Sequence, residues 1–109
     1  NVKALAILTK TRSPVEKDIP TSAEQGLDVQ AYTWNAIFLP KGTPEPIVKK
    51  LNAAMVEAMH SAMVKERLEG FGAQVVSDDR ATPAYLAQFV KDEIAKWAVP
   101  IKASGVSVN

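Results

Sequence analysis

Three observations predict an α/β fold with two or three strands, two long amphipathic helices and a capped short one. Two Thr-Pro starts, Thr43-Pro44 and Thr82-Pro83, each open a stretch whose apolar residues recur at spacings of three and four. The segment AYTWNAIFLPKG stands directly before the first of them, which gives a strand, turn and helix in order. A further apolar run opens the chain at Val2–Leu8.

Val2-Lys3-Ala4-Leu5-Ala6-Ile7-Leu8 reads as a short, largely buried strand, with a polar stop at Thr9-Lys10-Thr11. No turn or cap precedes it, so it is either a terminal strand or one whose upstream partner has been cut away. Ser13-Pro14 and Ile19-Pro20 bracket a loop, because each proline drives the preceding residue toward extended geometry. That loop reads first as a surface connector and second as a ligand or partner contact. Thr21-Ser22-Ala23-Glu24 matches a capping box, and Gly26 stops the helix after about one turn.

Val29–Leu39 is rich in β-branched and aromatic residues and predicts a strand. One face carries Tyr32, Trp34 and Phe38, the other Ala31, Thr33, Asn35 and Ile37, and Pro40 ends the ladder. Lys41-Gly42 forms a turn, Thr43 the N-cap and Pro44 the first helical position. Ile47, Val48, Leu51, Ala54, Met55, Ala58, Met59 and Ala62 make the apolar face of this helix. Met63, Val64 and Leu68 either continue it or begin a second helix after Ser61, and Gly70-Phe71-Gly72 closes the region.

Ala73–Val76 predicts a short edge strand and Ser77–Arg80 a turn. Thr82 caps the last helix, whose buried stripe is Leu86, Phe89, Val90, Ile94, Trp97 and Ile101. Pro100 predicts a kink or an end near Ala98 or Val99; Ala103-Ser104-Gly105 finishes the helix, and Val106–Asn109 trails away.

A chain of 109 residues suits one small domain or a piece of a larger one. Thirteen basic and twelve acidic residues alternate along it, so no basic stripe exists to displace counterions and nucleic acid is disfavoured. The absence of cysteine excludes disulfides, thiolate nucleophiles and zinc–thiolate sites. No apolar run reaches the roughly 18 residues of a membrane span. No leader pattern is visible, which says little if the chain is a fragment.

Catalytic chemistry has little to work with. His60 is the sole histidine, flanked by Met59 and Ser61, and lacks a second imidazole or a carboxylate at a fixed helical offset; it reads as a surface residue. The serines lack nucleophile-elbow glycines, and Asp78-Asp79 and Asp92-Glu93 point in different directions and read as solvated. Five dispersed glycines make no phosphate cradle. Tyr32, Trp34 and Phe38 read first as core and second as the wall of a ligand cleft; Trp97 and the Met55, Met59, Met63 row read as packing.

Taken together, Arg12-Ser13-Pro14, Asp18-Ile19-Pro20-Thr21, Glu24 and Gly26 form an ordered series with Trp34, Phe38, Pro40 and Gly42-Thr43-Pro44. It continues through Ile47, Leu51-Asn52, Arg67-Leu68, Gly72, Thr82-Pro83, Phe89, Ile94 and Trp97. The series resembles the C-terminal third of the solute-binding receptors of tripartite tricarboxylate transporters, the Bug (TctC-like) periplasmic proteins, across nearly the whole chain. Four positions depart from the family's pattern. Asn35-Ala36 stands where a glycine usually follows, Leu39 replaces a small residue, Ser61-Ala62 replaces an Asp-Pro helix break, and Pro100 is unusual in the last helix. The third departure implies that the helix runs on past Ser61.

The resemblance implies a partial periplasmic-binding-protein-like (type II) domain: residues 1–109 as a single domain or a fragment of a two-lobed receptor. It implies a periplasmic location, capture of small carboxylates together with the rest of the receptor, and delivery to membrane permease subunits. Backbone N–H groups at loops and helix N-termini would hold the ligand, and the family's glycine-rich ligand loops lie upstream of this segment. Trp34 is the one ligand-binding candidate in this chain, approaching the cleft. No catalytic residue, metal or cofactor is expected. The alternative is a stand-alone, non-catalytic assembly or dimerisation module on the same scaffold. In isolation the chain is expected to expose apolar faces and to self-associate, by strand pairing or element exchange.

Overall fold

Capping chemistry and glycine decide where the helices start and stop in the computed structural model, which describes residues 2–106. The expected trailing end therefore lies, from residue 107 on, outside the described residues. The element order is a 3₁₀ turn at Ala23–Gln25, then α1 (Glu45–His60), α2 (Ala62–Gly70) and α3 (Pro83–Ser104). The chain divides into two compact units, one of Asn1–Pro40 and Glu57–Val75, the other of Lys41–Val56 and Val76–Asn109.

In the first unit the capping box forms as its sequence requires. The Thr21 amide donates to a Glu24 carboxylate oxygen at 2.7 Å, and the Glu24 amide donates to Thr21 Oγ1 at 3.2 Å. Gly26 closes this turn at φ 83°, a left-handed geometry that favours glycine. α1 ends at His60, and α2 begins after Ser61, whose ψ of 137° breaks the helical path while its Oγ accepts from the Val64 amide. Ser61 thus does the work of the family's Asp-Pro break, so the helix does not run on. Gly72 has φ 74°, and a Cβ there would stand 3.4 Å from Val15 Cγ2, which seats the 13–17 loop against the end of α2.

In the second unit Lys41-Gly42 turns with Gly42 at φ 86°. α1 starts at Glu45, one residue later than expected, because the Pro44 carbonyl takes the first bond, from Val48, at 3.2 Å. Thr82 caps α3 as expected: its Oγ1 accepts from the Tyr85 amide, with Pro83 in the first helical position. The helix does not end near Ala98 or Val99; it carries Pro100 inside it and stops at Gly105, φ 69°. Between α1 and α3, Asn52 Nδ2 donates 3.0 Å to the Ala81 carbonyl and holds the turn that feeds α3.

Two expectations about the sheet and the core are corrected. Val2–Leu8, Val29–Leu39 and Ala73–Val76 run as irregular or extended segments, and none is a paired strand among the described residues. Among the described residues one bridge forms, parallel, between Ile7 and Thr21, through Ile7 N to Pro20 O at 2.9 Å and Ser22 N to Ile7 O at 2.8 Å. Ala31 N adds one bond to Leu8 O at 2.9 Å. A strand exists only by pairing, and these segments have too few partners within the described residues.

Likewise, no described hydrophobic residue is buried. Val2 and Leu5, expected in a buried strand, are open to solvent, as are Ile47 and Leu51 of the α1 stripe and Ile94, Trp97 and Ile101 of the α3 stripe. The buried described residues are Thr21 and Ser22, at the bridge. No helix among the described residues is long and apolar enough to cross a membrane.

Candidate functional site

The end of the first segment, its proline-bracketed loop and the capping box converge in the first unit. They line an open groove of about 430 Å³ with Lys10, Thr11, Arg12, Thr21, Ala23 and Glu24. The bridge at Ile7 carries the chain toward Lys10–Arg12, and Pro20 aims Thr21 back at it. Arg12 Nε donates to both Glu24 oxygens, at 3.0 and 3.1 Å, and Arg12 Nη1 donates to the Lys17 carbonyl at 3.1 Å.

These bonds hold the Glu24 carboxyl well below its ordinary value, at about 2, first because Arg12 donates to the charged form and then because the Thr21 amide does. The Arg12 guanidinium is raised in return, mainly by its bond to Glu24. A carboxylate held this far down stays ionised near neutrality and remains the partner of Arg12. Arg12 spends donors on Glu24 and Lys17, leaving Lys10 as the cation of the groove with no ion pair among the described residues. The arrangement braces the loop between Arg12 and Glu24.

The structure does not bring the sequence-predicted site residue to this groove. Trp34 lies in the 32–39 segment, 37% exposed, and is not among the groove's lining residues. His60 closes α1 on an exposed turn, and no group of three or more His, Cys, Asp or Glu residues able to hold a metal ion occurs among the described residues. Asp92 and Glu93 are not simply solvated. Asp92 accepts from Gln88 Nε2 at 2.8 Å, and Glu93 accepts from Trp97 Nε1 at 3.0 Å and from Lys96 Nζ at 3.4 Å, bracing the exposed face of α3.

Sequence reasoning missed the Arg12–Glu24 pair, reading Glu24 as a cap alone. The available signal was a charge of each sign at the two ends of a loop fixed by Pro14 and Pro20.

The family model described as "Tripartite tricarboxylate transporter family receptor" matches residues 1–106. The protein BugT of Bordetella pertussis is 38% identical over 110 residues, covering 100% of this chain and 33% of that protein. A UPF0065 protein in the TAR-I ttuE-ttuC' intergenic region of Agrobacterium vitis is 42% identical over 95% of this chain and 30% of its own length. Among solved structures, MatC from Rhodopseudomonas palustris with bound malate matches with a TM-score of 0.79 at 44% identity, over 84% of this chain and 32% of that one. The chain spans about a third of the length of these relatives.

Proposed function

The chain belongs to the tripartite tricarboxylate transporter receptor family, and on that premise we propose that it is the C-terminal third of a two-lobed periplasmic receptor for small carboxylates. One observation carries this reading. At 44% identity and a TM-score of 0.79, the chain shares its backbone with a third of a receptor that holds malate.

In this reading the segment contributes scaffold and one wall. Trp34 offers an aromatic face toward the cleft, and the upstream two thirds supply the donors that grip the acid. The whole receptor hands its ligand to membrane permease subunits. Separated from that partner, the chain self-associates through its exposed apolar residues.

The test is a grafted receptor in which this chain replaces the matched third of MatC. Calorimetric titration with malate, succinate, citrate and the diamide of malic acid reads the ligand class. The reading expects heat from dicarboxylates and none from the diamide. A folded graft that binds no carboxylate, or that prefers the uncharged diamide, contradicts it.

A further inference from the structure

Ser22 is buried and uses every polar atom it has. Its amide donates to the Ile7 carbonyl at 2.8 Å, and its carbonyl accepts from the Gln25 and Leu27 amides at 3.1 and 2.9 Å. Its Oγ donates to the Val29 carbonyl at 2.7 Å. A hydroxyl at the start of a helical turn ordinarily caps that turn. Here Thr21 and Glu24 supply the cap, and Ser22, at the N-cap position, makes no side-chain cap bond. Its hydroxyl reaches seven residues ahead instead.

Two residues past Val29, the Ala31 amide donates to the Leu8 carbonyl at 2.9 Å. Ile7-Leu8, Ser22 and Val29–Ala31 therefore close a ring of hydrogen bonds that lies wholly within the first unit. A slip of one residue would break the bonds at Val29 and Ala31 together. Side chains of an extended chain alternate between two sides, so such a slip also turns the following residues over. Trp34 stands three residues beyond Ala31, with no turn or bend between them. The ring thus sets the side on which that indole is presented.

We propose that Ser22 is a positioning residue for the cleft wall, its hydroxyl fixing the register in which the chain presents Trp34 to a bound carboxylate. This rests on the receptor reading above. Because the partner is a main-chain carbonyl, the effect belongs to the Ser22 hydroxyl and not to the side chain of residue 29.

Ser22→Ala removes the donor and leaves the main-chain bonds of residue 22 in place. In the full 109-residue chain it should speed exchange of the Ala31 amide about tenfold, the worth of one buried hydrogen bond. It should also shift the indole N–H signal of Trp34, while the amides of Ile7 and Ser22 keep their protection. Ser22→Thr retains a hydroxyl and should restore both signals. Ala31→Pro deletes the second tether and should likewise move Trp34. In the grafted receptor, Ser22→Ala should weaken malate binding by a factor similar to that at the Ala31 amide. A Trp34 signal unmoved by both Ser22→Ala and Ala31→Pro overturns the proposal. So does loss of protection at Ile7 and Ser22 along with Ala31, which would make the hydroxyl a general support of the unit. Unchanged malate affinity in a graft whose Trp34 signal has moved overturns it too. A parent graft that binds no carboxylate, with the lone chain responding as described, removes the receptor reading and upholds the register role of Ser22.

Discussion

Arg12 and Glu24, twelve residues apart, are joined by a forked bond in which one Nε–H serves both carboxylate oxygens, at 3.0 and 3.1 Å. The same carboxylate accepts the Thr21 amide, so a single side chain closes the loop and caps the 3₁₀ turn behind it. Both partners are about half exposed, and the pair alone contributes little to stability. Its value is geometric, holding the loop across the bridge at Ile7 and Thr21.

The depressed Glu24 carboxyl fixes the direction of its pH dependence. Its stabilisation is fully present above the ordinary carboxylate value of 4.5 and is lost as pH falls from there through about 2. Carbon-detected NMR of the Glu24 side chain should give a midpoint near the lower end of that window; a midpoint near 4.5 would show that the pair does not form. Glu24→Gln keeps an acceptor for the Thr21 amide and should lower the melting temperature of the grafted receptor less than Glu24→Ala does.

Asn52 ties α1 to the turn before α3 through its bond to the Ala81 carbonyl. Asn52→Ala should destabilise the grafted receptor by about 1 kcal/mol, the net worth of one such bond. Urea unfolding reads it, and an unchanged midpoint would mean that the bond contributes nothing in the assembled molecule.

Loss of the α3 cap should cost a similar amount. Thr82→Ala removes the acceptor for the Tyr85 amide and is expected to destabilise by about 1 kcal/mol, while Thr82→Ser retains the oxygen and most of the stability. Equal losses from the two variants would assign the effect to the threonine methyl instead.

One substitution made at two glycines should act in opposite directions. Gly42 sits at φ 86°, so Gly42→Ala forces a side chain into left-handed geometry and should cost about 1–2 kcal/mol. Gly70 ends α2 with no positive φ and open space around it, so Gly70→Ala should stabilise by about 0.5–1 kcal/mol. Thermal melts of the two variants, compared with the parent, decide both signs.

The helices were legible because their signals are local. Thr82-Pro83, Gly26, Gly42 and Gly105 carry their instruction within a few residues, and each appears where the sequence placed it. Ser61 was ambiguous because a serine permits both a helix interior and a cap; its local hydrogen bonds with Ala58 and Val64 favour the cap. Of the two outcomes read from Pro100, a kink or an end, the end does not occur: the helix continues through it to the expected finish at Gly105. The strands failed for a different reason. An apolar run at 29–39 specifies a strand only when another chain segment lies beside it, and within the described residues that neighbour is largely absent. The same holds for the stripes of α1 and α3: they are amphipathic as read, yet their apolar residues are not buried. Of the site, the capping box was legible; the Arg12–Glu24 pair was not, because contacts across a loop leave no periodic trace.

Injecting malate into the isolated 109-residue chain is the shortest route to a decision. If this polypeptide is one wall of a larger clamp, the titration releases no binding heat at concentrations where the grafted receptor saturates. Saturable uptake of malate by the lone chain, at an affinity matching the graft, would show that the grip on the acid resides here after all.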